Sequence, residues 1–200
     1  TAIAQAAFRR LLHGRIPVHL VANPLPDWAA PDPATPREHL IVSVGRLVPQ
    51  KRHDDVIRAF ARIAPDHPSW RLEIVGEGPE REHLARLATE LSVAPLINLV
   101  GHIDDVRPTM FRARVLVLAS EFEGTPNVVL EGLLAGLHVV VSDSVPPLPA
   151  TLNSRGAVKE FPVTSVDGLV AQLATILGEN SKRAPYVAGL SRFATEAAAS

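Results

Sequence analysis

The feature that most constrains the fold is the alternation of short apolar runs with helical patterns that begins at Leu40. The runs "LIVSVG", "RLEIVG", "INLVG", "VLVLAS" and "HVVVSD" are almost continuously apolar, which is typical of strands buried on both faces of a parallel sheet. Amphipathic helical patterns separate them, at about 54–63, 80–91 and 106–112 and from Pro126 onward. A weaker strand near 157–161 and a helix near 166–177 complete six units. The pattern predicts a doubly wound, Rossmann-like α/β fold with a mostly parallel sheet of about six strands.

The first 38 residues differ in character from the rest of the chain. An amphipathic helical segment leads into a short apolar strand near 18–22, and a stretch with five prolines between 24 and 36 follows, which excludes regular structure and favours an extended linker. We therefore expect residues 1–38 to form an amino-terminal helix, a strand and an interdomain linker, and residues 39–200 to form one domain. A chain that opens in this way, on Thr1, resembles the latter part of something longer.

Composition excludes several classes of function. The formal net charge is −1, with acids and bases interspersed, so we expect no nucleic-acid partner. The chain has no cysteine, which excludes thiolate metal sites and thiol nucleophiles and fits a cytoplasmic location. No apolar run approaches the roughly 20 residues that span a bilayer. Since no Asp-x-Asp, His-Glu-x-x-His or similar ligand spacing occurs, we expect neither a metal nor a cofactor.

Two loops are expected to meet at one crevice. In the common strand order 3-2-1-4-5-6 the first and fourth strands are neighbours, and ligands bind where their carboxyl ends diverge. The loop after the first strand is "GRLVPQK", residues 45–51, and the loop after the fourth is "SEFEGTPN", residues 120–127. We expect these loops to face each other.

The second loop has the signals of an anion site at a helix start. Gly124 permits a tight entry, Thr125 is a natural N-cap, and Pro126 is a favoured first helical residue. Asn127 and Val128 then have backbone N–H groups without intrahelical partners, and the positive end of the helix dipole lies there. Such a helix start favours phosphate.

Charged residues complete a pattern suited to a nucleoside diphosphate. Arg46 and Lys51, in the first loop, supply two cations that can hold a pyrophosphate by charge-assisted hydrogen bonds. Glu131 lies five residues beyond Pro126, roughly 7 to 8 Å along the helix, about a phosphate-to-ribose distance. A carboxylate in this apolar stretch requires a partner, and ribose hydroxyls would supply one. Glu123 stays on the open side, where it could accept hydrogen bonds from whatever the pyrophosphate carries.

These residues resemble a known family. The segments "VSVGRLVPQKRHDDVIRAFARI", "LEIVGEGPEREHLARLA", "INLVGHIDDV" and "SEFEGTPNVVLEGLLAGLHVVVSD" together resemble the carboxyl-terminal, donor-binding domain of retaining GT-B glycosyltransferases of the "group 1" (family 4) type, over residues 18–177. The most specific part is the E-x7-E pair, which falls on Glu123 and Glu131 and leaves Glu121 without a role.

The resemblance implies roles for named residues. It implies that the loop from Gly45, with Arg46 and Lys51, binds the donor diphosphate, and that the backbone of 124–128 assists this loop. It also implies that Glu131 binds the ribose hydroxyls and that Glu123 contacts the donor sugar. It further implies that Gly101 and His102 lie against the nucleotide base. The implied activity is that of a metal-independent, hexosyltransferase-type enzyme that uses a nucleotide-diphosphate sugar and retains anomeric configuration.

The chain also departs from the family. Members usually have proline in the position of His138, and a glycine-rich turn followed by an acid where this chain has "VPPLPATL", residues 145–152. The resemblance implies an acceptor-binding amino-terminal domain, which we expect to lie outside these 200 residues; the isolated domain is therefore expected to be inactive, and peripheral membrane contact could come only through that other domain.

Two other functions stay open. One is a non-catalytic nucleotide-sugar binding module that needs a partner domain, and the other is a sugar-nucleotide epimerase of GT-B fold. Among the remaining residues, Gly76 and Gly78 are interpreted as a strand-to-helix turn that could border the site. His53 is interpreted, with the other histidines outside the site, as a surface or helix-cap residue.

Overall fold

A computed structural model describes Trp28 and residues 36–124, 127–145 and 156–178. The helix and strand predicted before Trp28, most of the proline-rich linker, and the expected N-cap Thr125 and first helical residue Pro126 lie outside the described residues. So do residues 146–155, which hold most of "VPPLPATL", and the helical segment predicted near the carboxyl terminus.

A six-stranded, all-parallel sheet forms the centre of the chain, in the order β3-β2-β1-β4-β5-β6. The strands are β1 (Leu40–Val44), β2 (Arg71–Val75), β3 (Ile97–Gly101), β4 (Val115–Leu118), β5 (His138–Ser142) and β6 (Val158–Phe161). The helices are α1 (His53–Ile63), α2 (Arg81–Glu90), α3 (Arg107–Arg112), α4 (Asn127–Leu134) and α5 (Val166–Gly178). The predicted fold class and the predicted strand order are both confirmed.

Helices cover both faces of the sheet, as the apolar strands require. Along β1, Ile41 packs with residues of α1, α2 and α5, whereas Leu40 and Val42 pack with residues of α3 and α4. The same alternation in β4 sends Val115 and Val117 to the first face and Leu116 to the second. Because both layers are apolar, the strands in the middle of the sheet are apolar at almost every position, and Ser43 is the exception in β1.

Within the described part of the chain, no helix has both the length and the apolar character needed to cross a membrane.

Candidate functional site

The carboxyl ends of β1 and β4 are adjacent, and the two loops that follow them are joined by hydrogen bonds. The carbonyl of Gln50 accepts a hydrogen bond from the N–H of Glu121 at 2.9 Å. The Gln50 side chain donates from Nε2 to the carbonyl of Phe122, also at 2.9 Å. These bonds hold the β1 loop, residues 45–52, against the β4 loop, residues 119–124.

Lys51 and Glu123 are in direct contact across this junction. Lys51 Nζ lies 2.5 Å from Glu123 Oε1, and the two side chains are only 17% and 14% exposed. A Cβ atom on Gly45 would lie 3.4 Å from Cδ and Cε of Lys51, so the aliphatic part of the lysine runs along the glycine backbone. The structure thus brings together three residues that the sequence assigned to one site, and it pairs the predicted phosphate cation with the predicted sugar acceptor.

Arg46 occupies the same loop, but its side chain is exposed and makes no hydrogen bond or ion pair with the residues that the structure describes. The loop then turns through the 3-10 segment Pro49–Lys51 into α1. An exposed guanidinium at the end of β1, next to a site that already holds an ammonium group, is available to an anionic ligand.

Three glycines lie side by side at the ends of β1, β2 and β3. A Cβ atom on Gly76, whose φ is +143°, would lie 1.9 Å from the carbonyl oxygen of Gly45. The N–H of Gly76 donates to the carbonyl of Gly101 at 2.8 Å. Gly76 therefore places the β1 loop by close backbone contact, and it connects this loop to Gly101 and the neighbouring His102.

His102 itself is exposed, with Nε2 3.4 Å from Oδ1 of Asp104. Nothing in the structure ties its side chain to Lys51 or Glu123, so its predicted contact with the base stays a prediction.

Glu131 lies on α4 with its side chain half-buried. Desolvation raises the pKa of this carboxyl group above its ordinary value. No hydrogen bond or ion pair joins its carboxylate to another described residue. A half-buried carboxylate without a donor is unfavourable, and a ligand with hydroxyl groups would relieve it.

The first turn of α4 contains Asn127, which is exposed, and Val128, which is half-buried. Gly132 brings the helix close to the sheet, since a Cβ atom there would lie 2.5 Å from Cδ2 of Leu116. Gly124, before the helix, is exposed, and no described residue lies within 4 Å of a Cβ atom added there. The expected cap at Thr125 and Pro126 is outside the described residues.

Glu121 has a partner that the E-x7-E spacing did not indicate. Arg52, which adopts a left-handed backbone conformation with φ of +52°, donates from Nη1 to Glu121 Oε1 at 3.3 Å and from Nε to Asp55 Oδ2 at 2.8 Å. Glu121 therefore adds a second, more exposed link between the β1 and β4 loops.

The interpretation of His53 as a surface residue is wrong. Its side chain is 3% exposed, with Nδ1 3.2 Å from Oγ of Ser43, and its Nε2 has no hydrogen-bond partner among the described residues. Burial lowers the pKa of His53 to about 4, although the backbone of Arg46 and Gly45 partly opposes this. The one polar residue in β1, Ser43, was the available signal, because a buried hydroxyl needs a partner.

In the described part of the chain, no group of three or more His, Asp or Glu side chains could hold a metal ion. The expectation that the site uses no metal stays a prediction.

Comparison with known proteins assigns this chain to a family. The family model described as "Glycosyl transferases group 1" matches residues 27–188. The chain is 34% identical over 164 residues to an exopolysaccharide phosphotransferase of Streptomyces coelicolor, covering 79% of this chain and 17% of that protein. It is 31% identical over 144 residues to the lipopolysaccharide core biosynthesis glycosyltransferase LpsE of Rhizobium meliloti, covering 72% of this chain and 41% of the relative.

Among solved structures, the pneumococcal O-GlcNAc transferase GtfA, in complex with UDP and GlcNAc, superposes with a TM-score of 0.78 at 17% identity. That superposition covers all of this chain and 40% of GtfA. At this identity the likeness concerns the fold. The chain spans less than half the length of each of these three proteins.

Proposed function

The chain belongs to the group 1 glycosyl transferases, and we propose that it is the donor-binding part of an enzyme that transfers a glycosyl group from a nucleotide-diphosphate sugar. The observation that carries the proposal is the contact between Lys51 and Glu123 at the junction of the β1 and β4 loops. It supports a site where one side chain meets phosphate while the other meets the sugar attached to that phosphate.

In the proposed reaction the bond between the anomeric carbon and the diphosphate oxygen breaks, and the electron pair stays with the diphosphate. The acceptor hydroxyl oxygen bonds to the anomeric carbon, its proton passes to the departing diphosphate oxygen, and we propose that configuration is retained. Arg46, Lys51 and the start of α4 would stabilise the charge that develops on the diphosphate, a contribution that often dominates catalysis. This role needs no metal.

Glu131 is proposed to accept hydrogen bonds from the ribose hydroxyls. The support is its half-buried carboxylate, which has a raised pKa and no partner among the described residues. Gly101 and His102 are proposed to border the nucleotide base. The complex of GtfA with UDP and GlcNAc shows that a protein of this fold accommodates a nucleotide and a sugar.

The acceptor is proposed to bind outside this chain. Since the chain matches only 17% and 41% of the two relatives, the rest of such a protein has room for an acceptor-binding domain. We expect the chain alone to bind the donor without transferring the sugar.

Calorimetric titration of the chain with UDP, GDP and ADP tests the donor site. At least one of them should bind, and Arg46→Ala or Lys51→Ala should each weaken that binding by about 1 to 3 kcal/mol, the range for a lost hydrogen bond to a charged group. Arg58→Ala is the matched control, because Arg58 is an exposed arginine in the middle of α1. Binding that is equal in the wild type and both site variants would refute the diphosphate assignment.

A further inference from the structure

Ser120 donates a hydrogen bond to Glu123, the carboxylate that is predicted to bind the donor sugar. It lies two residues after β4 and is fully buried. Its Oγ donates to Glu123 Oε1 at 2.7 Å, and this same oxygen also accepts the hydrogen bond from Lys51. Glu123 is therefore held at one oxygen by a neutral donor and a charged donor together.

The backbone of Ser120 is fixed by the end of β5. Its carbonyl accepts hydrogen bonds from Oγ of Ser142 and Oγ of Ser144, each at 2.6 Å. Ser142 is the last residue of β5 and is also fully buried. Two hydroxyl groups on one buried carbonyl leave little freedom for the Ser120 peptide, and from this peptide the side chain reaches Glu123.

The two donors to Glu123 differ in what a ligand does to them. If the proposed function is correct, the diphosphate binds Lys51 in place of Glu123, because two or more phosphate charges attract an ammonium group more strongly than one carboxylate does. Ser120 is fully buried and carries no charge, so a diphosphate does not compete for it. Once Lys51 has engaged the diphosphate, Ser120 is the described donor that still holds Glu123.

We propose that Ser120 is a positioning residue, which keeps the Glu123 carboxylate directed at the donor sugar after Lys51 has turned to the diphosphate. The inference rests on the proposed function. It predicts that Ser120 affects the binding of the sugar and leaves the binding of the nucleoside diphosphate unchanged.

The test compares each nucleoside diphosphate with its sugar esters by calorimetry, in the wild type and in Ser120→Ala. The ligands are UDP, GDP and ADP, with UDP-glucose, UDP-N-acetylglucosamine, GDP-mannose and ADP-glucose. The measured quantity is the sugar advantage, which is the ratio of the dissociation constants without and with the sugar. Ser120→Ala should lower this advantage by roughly tenfold to a hundredfold, the effect of one lost hydrogen bond to a charged group, and leave the dissociation constant of the nucleoside diphosphate within about twofold.

Two variants separate positioning from a general structural effect. Ser142→Ala removes one of the two hydroxyl donors to the Ser120 carbonyl while Ser144 retains the other, so it should preserve the sugar advantage. Ser120→Cys keeps a weak hydrogen-bond donor of similar size and should retain part of the sugar advantage that Ser120→Ala loses.

Three results would overturn the inference: an unchanged sugar advantage in Ser120→Ala, an equal loss of affinity for nucleoside diphosphate and sugar ester, or a wild type that gains nothing from any sugar. A wild type that binds none of the nucleotides would instead refute the proposed function.

Discussion

At the residue scale, the site combines groups that are satisfied without a ligand and groups that are not. Lys51 and Glu123 neutralise each other at 2.5 Å and are largely shielded from water. Glu131, eight residues after Glu123, has no such partner among the described residues, and burial raises its pKa. The ribose of a donor would therefore offset the desolvation of the Glu131 carboxylate. The diphosphate, in contrast, has to replace Glu123 as the partner of Lys51.

Glu131→Ala should weaken binding of the preferred nucleoside diphosphate and leave free pyrophosphate unaffected, because pyrophosphate has no ribose. The effect should depend on pH. Ribose hydroxyls favour the ionised carboxylate, so the advantage of nucleoside diphosphate over pyrophosphate should grow as the pH rises through the raised pKa of Glu131. Calorimetry with both ligands at several pH values measures this advantage.

Glu131→Gln is the control for that prediction, since it keeps the size of the side chain and removes its titration. Its advantage should not change with pH. An alanine variant that loses pyrophosphate and nucleoside diphosphate affinity equally would remove the ribose role of Glu131.

At the element scale, the β1 loop depends on the turn that follows β2. Gly76 contacts the carbonyl of Gly45 so closely that no side chain fits, and its φ of +143° is rarely adopted by other residues. Gly132 lets α4 approach β4, since a Cβ atom there would lie 2.5 Å from Cδ2 of Leu116 and that side chain would have to shift. The positions of both ligand-facing segments are thus set by glycines outside the ligand contacts.

Gly76→Ala should destabilise the fold by about 3 kcal/mol or more, from steric overlap and backbone strain together. It should also weaken pyrophosphate binding, because the loop that holds Arg46 and Lys51 has to move. Urea denaturation and calorimetry measure the two effects. Gly178→Ala, at the end of α5, where no described residue lies within 4 Å of the added methyl group, should neither destabilise the fold nor weaken pyrophosphate binding. Equal stability of the two variants would contradict the steric argument.

At the scale of the whole molecule, two apolar layers enclose the sheet, and the buried pair Ser43 and His53 is a polar interruption between β1 and α1. The pKa of His53 is about 4 in the folded chain, below its ordinary value of 6.5. The unfolded chain therefore binds the proton more tightly than the folded chain. The contribution of His53 to the free energy of unfolding is therefore fully present above about pH 6.5 and is lost as the pH falls toward 4.

Between pH 7 and pH 5 this histidine should lower the free energy of unfolding by about 2 kcal/mol. His53→Gln retains polar groups but cannot titrate, so it should lack that part of the pH dependence. Urea denaturation of both proteins at the two pH values measures the difference. An identical loss of stability in the wild type and the variant would show that His53 does not titrate as its burial requires.

The layers of the fold could be predicted from the sequence, and the neighbouring position of the β1 and β4 loops followed once the common strand order was assumed, which the structure confirms. These follow from local properties, since continuous apolar runs, helical periodicity and parallel connections admit few arrangements. The helices predicted at about 54–63 and 166–177 accordingly match the observed His53–Ile63 and Val166–Gly178 within one residue at each end.

The pairing of the charged and polar groups, in contrast, could not be predicted from the sequence. Lys51 and Arg52 could each have paired with Glu121 or Glu123, and only the distances across the junction assign Lys51 to Glu123 and Arg52 to Glu121. The link from Ser142 through Ser120 to Glu123, and the burial of His53, were not predicted from the sequence either. Some of these contacts join residues far apart in the chain, and all of them depend on differences of an ångström, which a pattern of residue types does not contain.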